Sequence, residues 1–418
     1  MKNFNVVGKG HVKKDAENKV LGKAIFAADI KLPNMLVSGV KRSKVASAKV
    51  LNIDIEKAKK VKGVKAVLTY KDIPGENLIG VINKDEPILV EDKIRRIGDP
   101  LALVAAETKE ALEEALDLIE VELEEIPGIF TIEDALKEDS PKIHGDTNVL
   151  SKRLLKRGDV DEAFKKCDVI TENEYTTPAV NHMFIEPEAS VSKYEDGVLS
   201  IWSTTQNAHY IRDEVGRMLN MNYSKIKSMQ ASTGGGFGGK LDVGAQCHTS
   251  LLAYHTKRPV KMVRDRKESI IVSSKRHPHF MKYKTGATKD GKILAMEVEL
   301  SQDTGAYASY GLAVITRACV HAMGPYEVPN VRVRATMVYT NNPMSGAMRG
   351  FGVPQVSIGH EGEMDAIAEK LGIDPIEIRL KNCLVPGSVT GTGQKMENSV
   401  GIKETIEKSK EKAKEVIG

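Results

Sequence analysis

The stretch Ala231-Ser-Thr-Gly-Gly-Gly-Phe-Gly-Gly-Lys240 constrains this chain more than any other. Five glycines surround one Phe, so the backbone there carries almost no side chains. Glycine reaches conformations closed to other residues, and bare amide N–H groups can close on an anion such as a phosphate. A strand over 226–232 leads into the stretch, and a helix beginning near Leu241 leaves it. The helix N-terminus would add its dipole to the same place. An anionic, phosphate-bearing group held on a loop between strand and helix is the expectation.

Two phosphate-binding patterns fit only in part. Gly234-x4-Gly239-Lys240 matches seven positions of a P-loop, but Leu241 stands where Ser or Thr must bind Mg²⁺. Gly234-x-Gly236-x-x-Gly239 matches a dinucleotide fingerprint, with Asp265 after a strand over 259–263. The preceding Ile226-Lys-Ser-Met-Gln230 is too polar for the buried first strand of such a sheet. A ligand-free glycine turn is a poor explanation for five glycines within six residues.

Other segments support a third reading. Gly234–Lys240 resembles the molybdopterin-binding loop of the xanthine oxidase/aldehyde oxidase family. Ala347-Met-Arg349-Gly-Phe351-Gly resembles that family's second cofactor and active-site loop. Ser203-Thr-Thr-Gln206-Asn lies where the family places a Gln near the molybdenum, and Phe184-Ile-Glu186-Pro precedes it. Four loops in matching order and spacing are more specific than any one. Gly22–Asp29 resembles the opening of the family's α/β hammerhead domain, so the likeness spans nearly the whole chain.

The resemblance implies an α+β chain: a lead-in arm over 1–16, an α/β hammerhead domain over 17–126, a linker over 127–148, and a larger mixed α/β molybdopterin-binding domain over 149–418. Within it, strands are expected over 36–40, 66–70, 78–82, 101–106, 197–203, 260–263, 294–301 and 331–339. Helices are expected over 108–119, 352–371 and 401–418, with Thr108 as an N-cap and Gly372 as a terminator.

Composition excludes several classes. At 418 residues with 41% hydrophobic content, large cores and more than one domain are expected. A net charge of +4 with interspersed signs is no nucleic-acid footprint. No apolar run reaches 18 residues, so no membrane span is predicted. The N-terminus lacks an apolar signal-peptide core, which points to the cytoplasm. Cys167, Cys247, Cys319 and Cys383 are too dispersed for a zinc or iron–sulfur site. His277-Pro-His279 reads as a turn rather than a metal-ligand pair. No protein residue is expected to ligate a metal.

Roles follow from the resemblance. Gly235, Gly236, Phe237 and Gly238 would form the cofactor loop. Gln206 would hydrogen-bond a ligand of the molybdenum, as both a cofactor-binding and a catalytic residue. Arg349 would contact the pterin, and Phe351 would wall the substrate ring. Leu241 replaces the Glu with which purine-oxidising members bind substrate, whereas Arg317 matches an Arg they keep. An Arg without that Glu suits an anionic N-heteroaromatic ring, nicotinate first, hydroxylated with oxygen from water. Purine or aldehyde hydroxylation is the alternative, and a non-catalytic nucleotide- or cofactor-binding accessory protein is the alternative of another class.

The family's general-base Glu lies in a Gly-Glu-Pro-like context. Gly75-Glu76 and Gly362-Glu363 are the only Gly-Glu pairs here, and neither precedes Pro. The expected partners are a second molybdopterin subunit carrying that Glu, an FAD subunit and an iron–sulfur subunit with [2Fe–2S] clusters. The cofactor itself is expected as molybdopterin cytosine dinucleotide with molybdenum.

Overall fold

A computed structural model describes residues 4–417. Two large sheets organise it. The first has seven strands in the order Ile226–Gln230, Val198–Ser203, Ala189–Glu195, Val260–Val263, Leu36–Arg42, Pro100–Ala106 and Val64–Leu68. It therefore joins N-terminal strands to strands from beyond residue 188. The seam is a parallel pairing of Leu36 with Val260. The second sheet has five strands: Val169–Thr177, His279–Ala287, Ile293–Asp303, Asn330–Val338 and Val149–Arg157.

Helices cover the sheets with their apolar faces. Ala245–Thr256 packs on the first sheet and buries Leu251, Leu252 and Ala253. It can sit at the centre because it carries no Asp, Glu, Lys or Arg. Lys109–Asp117 covers the same sheet near Pro100–Ala106, with the Thr108 hydroxyl accepting the Ala111 N–H at 3.2 Å. Val353–Leu371 lies on the second sheet and ends at Gly372, φ +65°. Its buried Glu363 accepts from Thr171 Oγ1 (2.6 Å), Asn173 Nδ2 (2.7 Å) and Tyr175 Oη (3.0 Å). That carboxylate is fully engaged as a structural acceptor.

Four local expectations change. The strand into the glycine stretch stops at Gln230, with only a bridge from Ser232 to Phe26 beyond it. The helix after the stretch begins at Ala245 rather than near Leu241, because Asp242 turns aside to bind Ser309. The helix dipole therefore stands back from the loop. The strand expected over 78–82 is only Leu78–Ile79, ended by Gly80 at φ +149°. His279 opens a nine-residue strand and His277 is buried beside it. Ala48–Asp54, Glu120–Glu125 and His279–Ala287 are strands that periodicity does not flag. Charge hides the last of these: Lys282 and Lys284 pair across the ladder with Glu174 and Glu172.

Candidate functional site

The glycine stretch lies beyond the edge strand Ile226–Gln230, as suits its polar sequence. Its conformation needs glycine at definite points. Gly238 has φ +108°, and a Cβ there would stand 2.4 Å from the Ala347 carbonyl oxygen. A Cβ on Gly236 would stand 2.6 Å from Gln206 Oε1. Between them Phe237 itself adopts φ +54° and is half exposed. A non-glycine residue held there costs of order 1–3 kcal/mol, which the surrounding structure must offset.

Two other loops are tied to this one. Gln206 Oε1 accepts the amides of Gly238 (2.9 Å) and Lys240 (3.3 Å), which leaves its side-chain NH₂ facing outward. The Arg349 amide donates to the Phe237 carbonyl at 2.8 Å. His182 Nε2 donates to the Ala347 carbonyl at 2.7 Å, and burial pulls the pKa of this imidazole down. So Gln206, Gly236, Phe237, Gly238 and Arg349 converge as one constellation.

Beneath the loop lies an ion pair that the sequence patterns do not single out. Lys240 is fully buried, and its ammonium reaches Glu186 Oε2 at 2.8 Å. The same oxygen accepts the Gly234 amide at 2.7 Å, and the ammonium also sits 4.7 Å from the Phe184 ring centre. Burial lowers the pKa of Lys240, against the opposing pull of Glu186. The sequence signal was the Lys itself, since a buried lysine after glycines requires a carboxylate partner.

The substrate-side candidates are looser. Phe351, at φ +55°, meets Tyr310 edge to face with ring centres 6.0 Å apart. Leu241 is half buried, its amide bonded to the Gly238 carbonyl. Arg317 lies exposed on the helix Gly311–His321 and makes no ion pair among the described residues. That helix abuts the second loop, because a Cβ on Gly352 would lie 2.6 Å from the Val314 carbonyl.

The geometry suits an anionic group. Among the described residues the successive amides of Gly235, Gly236 and Phe237 find no acceptor, and Gly235 and Phe237 both have positive φ. Adjacent free amides in such a turn form an anion-binding concavity. No group of His, Cys, Asp and Glu able to hold a metal occurs among the described residues. An anionic cofactor would present a group for that concavity.

Comparison with known proteins decides which. Residues 143–383 match the molybdopterin cofactor-binding domain, and residues 21–127 match the aldehyde oxidase and xanthine dehydrogenase a/b hammerhead domain. The chain belongs to the aldehyde oxidase and xanthine dehydrogenase family. It is an oxidoreductase chain with a hammerhead unit followed by a molybdopterin-binding domain. It is 59% identical to the nicotinate dehydrogenase large molybdopterin subunit of Eubacterium barkeri, covering 100% of this chain and 98% of that one. It is 39% identical to a probable xanthine dehydrogenase subunit of Bacillus subtilis (strain 168), over 90% of this chain and 50% of that one. The aldehyde oxidoreductase from Desulfovibrio gigas superposes with a TM-score of 0.92 at 30% identity, over 96% of this chain and 46% of that one. The chain thus spans about half the length of these last two relatives. No helix among the described residues is long and apolar enough to cross a membrane.

Proposed function

We propose that this chain is the large molybdopterin subunit of a nicotinate dehydrogenase-type molybdenum hydroxylase. The observation that carries this reading is the end-to-end 59% identity to the Eubacterium barkeri subunit. Leu241 supports it, since a pocket without a carboxylate there suits an anionic ring better than a purine. The bound cofactor, as molybdopterin cytosine dinucleotide, would supply oxygen transfer from water and accept two electrons.

The chain's own residues would do the rest. The free amides of Gly235, Gly236 and Phe237 would hold an anionic part of the cofactor, and the outward NH₂ of Gln206 would donate to a ligand of the molybdenum. Arg349 would reach the pterin from the second loop. Phe351, backed by Tyr310, would present a flat wall to the substrate ring, and Arg317 would receive the ring carboxylate.

A carboxylate base is required, because a proton must leave as oxygen attacks the ring carbon, and a positioned base is worth ~10²–10⁴ in rate. Glu363 is engaged in the second sheet, and Glu76 is paired with Arg217. We therefore place the base on a second molybdopterin subunit. Exposed Met183, Ile185 and Phe237 ring the glycine loop as an apolar rim for that subunit to cover. An FAD subunit and an iron–sulfur subunit with [2Fe–2S] clusters would carry the electrons onward, in the cytoplasm.

The test is the ratio of kcat/KM for nicotinate over hypoxanthine in the assembled complex. A ratio above one is expected, together with no turnover by the chain alone. A preference for hypoxanthine would overturn the substrate assignment, and turnover by the lone chain would overturn the split site.

A further inference from the structure

Behind the cofactor loop, where the hammerhead strands meet the molybdopterin domain, lies a partly open cavity of ≈ 50 Å³. Its wall mixes hydrocarbon, such as Ile88 and Val243, with an unusual number of charged groups. Gly239, Lys240 and Asp242 of the loop line one side, Glu86 and Arg96 of the hammerhead line another, and Glu188, Arg264 and His248 complete it. Several polar atoms here are buried without a protein partner: Glu188 Oε2, Arg264 Nε, His248 Nδ1 and Asp242 Oδ2. Each orphaned polar group costs ~1–3 kcal/mol unless something satisfies it. Acceptors and donors are mixed, so no single ion satisfies them all, whereas water does both.

Most charges around the cavity are paired. Arg96 pairs with Glu86 (2.9 Å) and Asp99 (3.3 Å), Arg264 with Glu188 (3.1 Å), Arg42 with Glu268 (2.8 Å) and Lys240 with Glu186 (2.8 Å). Lys275 stands nearby, and burial depresses its pKa to about 8. Asp242 has no cation within ion-pair distance among the described residues. Its Oδ1 takes only the Ser309 hydroxyl, at 2.7 Å. The groups around Asp242 are His182, Arg96, Glu86, Tyr210 and Tyr310. Those around Glu86 are Arg96, Asp242, Asp99 and Asp85. Asp242 and Asp85 are thus carboxylates held by hydrogen bonds alone, with no cation paired to either among the described residues.

We propose that this cavity holds a cluster of ordered waters that passes protons between Asp242, behind the cofactor loop, and Glu86, at the hammerhead interface. Burial raises the pKa of Asp242 and pushes that of Glu86 up to about 7, which lets Glu86 take and release a proton near neutral pH. The need for such a path rests on the proposed function. Hydroxylation converts R–H and H₂O to R–OH, two protons and two electrons. The electrons leave through the flavin and iron–sulfur partners, and the protons must leave by another way. Each hop moves one proton from a carboxyl oxygen to water, or from water to a carboxylate, with no redox change. Glu86, slightly exposed, is the exit.

The test uses the assembled complex. A crystal structure should show about three to five waters in the cavity, bound to Glu188 Oε2, Arg264 Nε and His248 Nδ1. An empty cavity, or one filled by an ion, overturns the proposal. The infrared spectrum at pH 7 should carry a protonated-carboxyl band that Glu86→Gln or Asp242→Asn removes; an unchanged band overturns it. With nicotinate, Glu86→Gln should lower kcat about tenfold at unchanged KM, and Glu86→Asp should recover most of it. Equal kcat in Glu86→Gln and wild type from pH 5 to 9 overturns the relay. Should Glu86→Gln fail to fold, the wild-type waters and Asp242→Asn still decide. A complex that oxidises no heterocycle sinks the proposed function, while the waters and the infrared band still judge the cavity.

Discussion

The floor of the site and its open face are built on opposite terms. In the floor, Lys240 and His182 are buried, Glu186 is largely so, and all three are bonded to neighbouring loops within the chain. On the face, Gln206, Phe237, Arg349 and Arg317 are exposed, with donors turned outward. The floor invests in holding three loops in one shape. The face presents exposed groups that are open to partners from outside the chain. Substitutions in the floor should therefore act through stability and cofactor retention, and those on the face chiefly through kinetics.

The largest effect should come from breaking the floor's ion pair. Lys240→Met leaves the Glu186 carboxylate buried opposite hydrocarbon, and removing one member of such a pair costs ~3–5 kcal/mol. A lower urea midpoint and a loss of bound molybdenum are expected together. The double variant Lys240→Met/Glu186→Gln should recover part of the stability. If Lys240→Met melts like wild type, the pair is not what holds the floor.

Gln206→Ala tests the face. It removes one outward donor, and loss of one preorganised donor typically costs about 100-fold in kcat. It also frees the Gly238 and Lys240 amides, so molybdenum content should fall slightly while kcat falls steeply. Unchanged kcat at full molybdenum occupancy would remove Gln206 from the chemistry.

Acid should weaken the floor's surroundings and spare the face. Burial depresses His248 to about 3 and His279 to about 4, from an ordinary 6.5. Both are neutral in the folded chain, whereas the unfolded chain takes up protons near pH 6.5. Stability is thus complete above pH 6.5 and is lost as pH falls towards 4. At pH 5 each histidine accounts for ~2 kcal/mol. Denaturation midpoints at pH 7.5 and pH 5 should differ accordingly, and His248→Gln should narrow the gap. An equal gap in that variant would show that the loss arises elsewhere.

The face was more legible in the sequence than the floor, for a physical reason. Glycines clustered around Phe237, and the Arg349–Phe351 loop, are local signals that survive without a structure. The Lys240–Glu186 pair spans 54 residues, Asp242–Ser309 spans 67, and His182–Ala347 spans 165. No window of sequence contains both members of any of these. The same limit explains the fold. Long apolar strands such as Pro100–Ala106 stood out, but His279–Ala287 did not, because its outward lysines are explained only by glutamates a hundred residues earlier. The seven-stranded sheet crosses the expected boundary between domains because its seam, Leu36 to Val260, is likewise a contact no local pattern announces.

The smallest expected effect belongs to the most exposed candidate. Arg317 makes no ion pair among the described residues, so Arg317→Met should leave the melting temperature within experimental error. Its contribution should appear only with an anionic substrate. A substrate carboxylate desolvated against it, once a partner subunit covers the face, would lose about 2 kcal/mol in the variant, or about thirtyfold in kcat/KM for nicotinate. Hypoxanthine, which lacks a carboxylate, should lose much less. Leu241→Glu should move the same ratio by placing an anion beside the nicotinate carboxylate. If Arg317→Met depresses both substrates equally, the guanidinium stabilises charge developing on the ring instead of reading the carboxylate. Arg317 would then contribute to the rate of the reaction and not to the choice of substrate.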